Sequence, residues 1–295
     1  MLAIPRDSSG HIGKYRRFGK FFELRETVVS SQRVLLVMTT TATASAALLA
    51  YERLAPFYDR FTDGYDHDGW IGRLEALAQA HGLHGSRAFD VACGTGKSFE
   101  PLVRRGYDVW ACDLSPAMVS QARRAGVLEA DRVLVADMRE LPEVGAFALV
   151  TCLDDAVNYL LDPADLAAAF ASIAGRLEPD GLFLFDTNTL ATYRDGFSTR
   201  ATFERPLADA IWRGETTGPI VAGTLCSATI ELGGSDRTVS RHVQRHHPEQ
   251  TIRHALASAG LDCRAVLGQS TGGVLHEDAD EEVHTKLVYV ASLSA

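Results

Sequence analysis

Phe89-Asp90-Val91-Ala92-Cys93-Gly94-Thr95-Gly96 is the stretch whose reading decides the fold. An apolar run carrying one acid ends in a turn with two glycines, and a helical stretch through Leu102 and Val103 follows. A strand that feeds a glycine-rich turn and then a helix is the opening of a βαβ unit, with its ligand above the strand's carboxyl end. Glycine at 94 and 96 lets such a ligand approach the main chain closely.

Outward from this stretch, strands and helices alternate. Tyr107–Cys112 reads as a second strand, and Pro116–Ala125 as a helix capped by Ser115. Val133–Ala136 and Ala146–Leu153 are strands three and four. A helix with Pro163 in its first turn and Leu166, Ala169, Phe170, Ile173 and Leu177 on one face leads to the fifth strand, Gly181–Asp186. Upstream, Ile71, Leu74, Leu77 and Ala78 mark an amphipathic helix that ends near Gly82. Repeated βα units imply a parallel sheet covered by helices on both faces. Over 197–247 the rhythm changes to β-type runs broken by glycines, which predicts an antiparallel insert. A helix over Pro248–Gly260 and two last strands, Cys263–Leu267 and Lys286–Leu293, complete the chain. The expected division is a tail over 1–45, a core over 46–196 and 248–295, and the insert over 197–247.

The bulk properties narrow the classes of function. A chain of 295 residues, 46% hydrophobic, holds one large domain or a domain with a smaller insert. The net charge of −9 speaks against a general nucleic-acid binder. No apolar run reaches the roughly 18 residues of a membrane span. Five cysteines without a CxxC pair read as buried free thiols in a reducing cytoplasm. A cytoplasmic monomer or homodimer acting on a small molecule fits these features. The first 37 residues are basic and lack a secretory core, and Met38 before a threonine run is a plausible start.

Three ligand classes compete for the turn. Gly96-Lys97-Ser98 imitates the tail of a phosphate-binding P-loop, but Val91 stands where that motif needs glycine. A dinucleotide fingerprint wants a third glycine where Phe99 stands. Asp90 would repel a pyrophosphate and suits a ligand with a cationic ammonium and sulfonium. Asp113, at the end of the second strand, can accept hydrogen bonds from a ribose diol.

With Asp90 before the turn and Asp113 after it, residues 51–196 resemble the class I S-adenosylmethionine-dependent methyltransferases, whose first motif reads D-[LVI]-G-C-G-T-G. Ala92 replaces the first glycine of that motif. The resemblance implies a Rossmann-like, doubly wound sheet of seven strands, mostly parallel with an antiparallel last pair, and a small antiparallel β insert as a lid. It implies S-adenosylmethionine as cofactor, with Ala92, Gly94 and Gly96 against it, Asp90 near its amino group and Asp113 on its ribose. Leu114 and Met118 would pack on the adenine, Asp137 and Met138 would meet it at its edge, and Leu153 and Asp154 would follow the fourth strand. Tyr58, paired with Asp59 in a lid-like aromatic segment, would cover the cofactor.

The acceptor side is less sharply marked. Leu153-Asp154-Asp155-Ala156-Val157-Asn158 resembles the polar cluster that faces methyl transfer in small-molecule methyltransferases. Asn158, Tyr65 and Arg245 are the candidate substrate contacts. His242 and Asp155 are the candidate bases, needed if the acceptor arrives protonated. Strand alternation places His242, Gln244 and His246 on one face and Val243, Arg245 and His247 on the other. These histidines lack metal-ligand spacing, so no metal is expected there. The reaction implied is methyl transfer to an N, O or C nucleophile of a small molecule. A nicotinamide-dependent oxidoreductase and a non-catalytic cofactor-binding regulator are the alternatives.

Overall fold

In the computed structural model, which describes residues 46–233 and 237–294, the turn after Val91 sits where the strand order reverses. The main sheet runs β11-β10-β12-β5-β4-β1-β2-β3. Its parallel part comprises β1 (Arg87–Val91), β2 (Asp108–Asp113), β3 (Val133–Val135), β4 (Phe147–Cys152) and β5 (Leu177–Asn188). From β1 the chain steps outward to β2 and β3, then returns to β4 on the other side. The carboxyl ends of β1 and β4 therefore splay their following loops apart and leave a crevice.

β12 (Lys286–Leu293) runs antiparallel between β5 and β10 (Leu261–Ser270). The expected seven strands are eight, because Val274–His276 adds a short antiparallel edge, β11. Three residues are too few for an alternation pattern to show in sequence.

Both faces of the sheet are covered, as its apolar strands require. All six residues of β4 are buried. Along β5 the side chains alternate: Phe183 and Phe185 meet α6 (Pro163–Ala174) and α8 (Glu249–Ser258) in one core. Leu182 and Leu184 join a second core with α3 (His67–Ala80), α4 (Phe99–Arg104) and α5 (Pro116–Ala125). The caps follow the sequence signals: Asp66 accepts from Gly69 N at the start of α3, and Ser115 from Met118 N at the start of α5. No disulfide joins the five cysteines, four of which are buried.

A separate antiparallel sheet, β6-β7-β8-β9, is built by Thr202–Arg205, Ala210–Gly214, Leu225–Leu232 and Thr238–Arg245. On β8 alternate residues Cys226, Ala228, Ile230 and Leu232 point inward. Ile230 and Leu232 pack with Leu54, Tyr51, Tyr58 and Phe61, so this sheet rests on the segment that precedes α3. That segment is helical over 46–54 (α1) and again at Tyr58–Phe61 (α2). Before the small sheet lies α7 (Leu190–Phe197), capped by Thr189, which the sequence reading did not anticipate. Its eight residues include Gly196 and Asp195, poor helix formers that hide the period. The small sheet has one strand more than the sequence runs suggested, β6, whose four residues are all exposed and so carry no alternation. Among the described residues no helix is long and apolar enough to cross a membrane. The tail expected over 1–45 and the start expected at Met38 lie outside the described residues.

Candidate functional site

The turn is held from three sides. Gly94 N donates to Asp113 Oδ2 at 2.9 Å, and Ser115 N donates to Asp113 Oδ1 at 2.8 Å. Gly96 N donates to Cys93 O, so the amides of both glycines are used within the chain. An anion nest would need such amides free. The two glycines thus offer main-chain proximity without lending their amides to a phosphate, which agrees with a ligand that carries none against them. Gly96 adopts φ +98°, and a Cβ there would come 2.5 Å from Phe99 Cζ. The ring that takes the place of a third fingerprint glycine thus fills the space behind the turn.

Asp90 lies beneath the turn, 1% exposed. Its two oxygens accept from the Ser98 and Thr151 hydroxyls. Burial pushes its carboxyl up to about 6 against the effect of those bonds. Asp113 faces the crevice, and burial raises its carboxyl to about 6 as well.

The crevice above the turn is walled by Tyr58, Ala92, Gly94, Asp113, Leu114, Asp137, Met138, Leu153 and Asp154. These are nine of the twelve residues expected against a cofactor. Gly96 and Asp90 lie behind this wall, and Met118 is wholly buried within α5. Tyr58 roofs the turn, its ring close to the space a Gly94 Cβ would fill. Its helix is tied down where Thr95 Oγ1 donates to Asp59 Oδ1 at 2.6 Å and Lys97 Nζ donates to Asp59 O at 2.8 Å. Asp137 is bound by Arg139 through its main-chain N–H and its guanidinium. Burial opposes its charge, yet Arg139 holds its carboxyl below the usual range.

A crevice with acids, an aromatic roof and both glycine amides engaged suits a cationic nucleoside. The comparisons with known proteins agree. A family model described as a methyltransferase domain matches residues 88–181. A methyltransferase of Geobacillus is 32% identical over 151 residues, which span 50% of this chain and 60% of that relative. The dTDP-3-amino-3,6-dideoxy-alpha-D-glucopyranose N,N-dimethyltransferase of Streptomyces fradiae is 26% identical over 241 residues, covering 79% of this chain and 93% of the relative. In fold, the chain is similar to an S-adenosylmethionine-dependent methyltransferase from Clostridium acetobutylicum, with TM-score 0.68, 23% identity and coverage of 83% and 99% of the two chains. Residues 88–181 thus match a methyltransferase domain, and the chain shares its fold with S-adenosylmethionine-dependent methyltransferases.

Beside this crevice lies a second cavity of about 540 Å³, between the small sheet and the carboxyl ends of β4 and β5. Tyr58, Asp154 and Tyr159 stand on the walls of both spaces. Asp154 and Asp155 both hold left-handed backbone, φ +56° and +54°, which is unusual for residues with a side chain. Asp186, at the end of β5, sustains it: its carboxylate accepts from Asp154 N at 2.9 Å and from Asp155 N at 2.7 Å. The Asp154 carboxylate makes no hydrogen bond or ion pair among the described residues. Burial lifts its carboxyl to about 7, against the pull of Lys286.

The two candidate bases are already engaged. Asp155 accepts from Lys286 Nζ at 2.9 Å and from Gln244 Nε2 at 2.6 Å. His242 lines the cavity, but Tyr159 OH lies 2.8 Å from its Nδ1 and Ser240 Oγ 2.9 Å from its Nε2. Ser240 spends its own proton on Ala50 O, so Nε2 carries the histidine's proton and Nδ1 accepts from Tyr159. Burial pushes the imidazole down to about 4.

Of the expected substrate contacts, Tyr65 is on the cavity wall. Asn158 and Arg245 are not. Asn158 is fully buried, donating to Arg245 O and accepting from Asn188 N. Arg245 donates to Leu161 O and Gly223 O from the outward face of β9. Both fasten the small sheet to the main one.

Sequence reasoning missed Lys286, Asp186, Gln244 and Glu52 as site residues. Lys286 Nζ bridges Asp155 and Asp186, the latter at 2.7 Å. Burial works against its charge, but these acids hold its ammonium well above the ordinary lysine range. Glu52, from α1, accepts from Ser115 Oγ and Ala117 N and so reinforces the start of α5. A charged residue at the end of an otherwise apolar strand, as Asp186 and Lys286 are, was the available signal.

Proposed function

We propose that this chain is an S-adenosylmethionine-dependent methyltransferase acting on a small molecule held in the cavity under the small sheet, and that its favoured acceptor is an amine. Asp154 carries the proposal. Asp154 lies on the walls of both crevice and cavity, its carboxylate makes no hydrogen bond or ion pair among the described residues, and burial lifts it to about 7. An N, O or C nucleophile can be methylated here, but a half-buried acid without an ion pair has most to gain from a cationic acceptor.

Bound S-adenosylmethionine supplies a methyl group already activated by its sulfonium charge. The chain's own residues bind, orient and manage a proton. Asp113 accepts from the ribose, Leu114, Met138 and Leu153 give the adenine an apolar bed, and Tyr58 offers a ring face to the positive charge. Asp90 acts from behind, setting the turn through Ser98 and Thr151. Asp154 draws an ammonium acceptor to the junction and takes its proton on a carboxylate oxygen, which frees the nitrogen lone pair for attack. Lys286 and Asp186 fix the backbone that aims Asp154. Proximity and alignment supply most of the rate, since no leaving group has to be activated.

The name of the Streptomyces fradiae relative, an N,N-dimethyltransferase of an amino sugar nucleotide, supports an amine acceptor. The test is methyl transfer from labelled S-adenosylmethionine to matched amine and hydroxyl forms of candidate sugars and phenols. Turnover of amines over their hydroxyl counterparts is expected. Turnover of the hydroxyl forms alone would overturn the acceptor class, and cofactor binding with no transfer to any acceptor would favour a binding-only role.

A further inference from the structure

At the edge of the main sheet farthest from β3, three ligating side chains converge that the methyl-transfer site does not use. They are His276 at the end of β11, Asp278 in the following loop, and His284 just before β12. One ligand atom from each lies within 4.8 Å of the other two. The imidazole centroids of His276 and His284 are 5.1 Å apart. We propose that His276, Asp278 and His284 form a binding site for a divalent transition metal, zinc by preference.

The donor chemistry comes first. Two imidazoles and one carboxylate suit zinc and its neighbours far better than magnesium or calcium, which want oxygen ligands. Zinc–ligand bonds of about 2.0–2.2 Å in a tetrahedron set ligand atoms roughly 3.4 Å apart. Ligand atoms up to 4.8 Å apart must therefore close by at most about 1.4 Å. Asp278 is free to do so, being exposed and without a hydrogen bond or ion pair among the described residues.

The surroundings of the two imidazoles favour the metal-bound form. Ser270 Oγ lies 2.9 Å from His276 Nε2 and steadies the ring from that nitrogen, which leaves Nδ1 for a metal. His284 is 5% exposed, and its Nδ1 lies 3.0 Å from Asp280 N and 3.2 Å from Asp280 O. The same nitrogen can thus accept from the amide, or donate to the carbonyl. A metal on Nε2 selects the second arrangement, an outer bond of the kind that orients metal-bound histidines. Room for this ring is built into the strand beneath it: a Cβ at Gly268 would come 2.2 Å from His284 Nδ1. A water completes the tetrahedron.

The bound metal closes the loop between β11 and β12 onto itself. That loop leads directly into Lys286, so the site steadies the start of the strand that supplies the lysine. It stands apart from the crevice, and methyl transfer and metal binding can fail independently.

The experiment uses tag-free, chelator-treated protein titrated with cobalt(II) and then with competing zinc(II). One equivalent of cobalt should give the intense visible bands of a four-coordinate site, and zinc should displace it and raise Tm. His276→Gln and Asp278→Asn should each weaken zinc binding by about tenfold or more and abolish the rise in Tm. S-adenosylhomocysteine binding should stay as in the parent and reports that each variant is folded. No stoichiometric binding by the parent would overturn the proposal. So would binding that both variants retain, since the chain's other histidines would then be responsible.

Discussion

The carboxylate of Asp113 accepts the main-chain N–H of Gly94 at 2.9 Å, so the acid that ends β2 also fixes the turn that ends β1. One side chain thereby shapes the crevice floor and presents charge to whatever lies on it. Asp113→Ala should lose both effects. S-adenosylhomocysteine affinity is expected to fall by more than about tenfold, a loss worth about 1.4 kcal/mol or more, as a hydrogen bond to a charged group implies. Calorimetry checks this, and unchanged affinity in a folded variant would remove Asp113 from the site.

The same residue sets a pH dependence. Burial raises the Asp113 carboxyl to about 6, and a ligand that donates hydrogen bonds needs the ionised form. Affinity should therefore be full above pH 7 and decline as pH falls through 6. By pH 5 about a tenth of the carboxylate remains, so binding should be about tenfold weaker. Asp113→Asn should flatten this profile. A slope that survives the substitution would assign it to another group.

Ala92 offers a test of backbone strain. It holds φ +60°, where an L-residue is disfavoured by roughly 1–2 kcal/mol. Ala92→Gly relieves that cost but adds freedom to the unfolded chain worth about 0.4–1 kcal/mol. A change between about zero and 1.6 kcal/mol of added stability is expected from thermal or urea unfolding. Ala92→Val, branched at Cβ and on the crevice wall, should destabilise the chain and weaken cofactor binding together. A stable Ala92→Val variant that binds normally would contradict the left-handed backbone at this position.

The turn shows how far sequence reached and where it stopped. The sequence reads Ala92 as a small substitute for glycine, and the structure adds that this residue holds φ +60°. The positive φ that makes glycine usual there is invisible in a single residue letter. Buried parallel strands such as Phe147–Cys152 were legible because they are continuous apolar runs, and Ser115 and Pro163 marked helix starts by their chemistry. α7, β6 and β11 were not legible, being short or exposed on all sides. At the site, local motifs revealed the crevice walls. They could not reveal partnerships made across the fold, such as Asp155 with Lys286 131 positions away, or Asn158 with Arg245 across 87. Those long-range bonds engage Asp155, Asn158 and Arg245 within the chain, whereas the Asp154 carboxylate makes no hydrogen bond or ion pair among the described residues.

Lys286 should be the most sensitive structural position near the cavity. Its ammonium lies 2.9 Å from Asp155 and 2.7 Å from the fully buried Asp186. Lys286→Met leaves both acids without their cation, and breaking such a buried pair costs about 3–5 kcal/mol. Urea unfolding measures the loss. Adding Asp155→Asn should recover part of it by removing one stranded charge. A loss below about 1 kcal/mol would place the cluster in the class of weak surface pairs.

Asp154 ties structure to reaction. If it takes a proton from an amine acceptor, the ionised carboxylate is the active form, and burial sets its carboxyl at about 7. Turnover should then rise with pH through about 7 and level off above it. Asp154→Asn should lower kcat by about a hundredfold, the usual scale of a proton-transfer group. It should also erase that acidic limb, while S-adenosylhomocysteine affinity changes by less than about threefold. The KM for the amine should rise as well, because the variant no longer offers a negative charge to an ammonium. A structural role alone predicts another outcome: lower Tm and weaker cofactor binding, with the pH profile of the remaining activity unmoved. If kcat falls without any change in the profile, Asp154 positions the acceptor and the proton leaves to water.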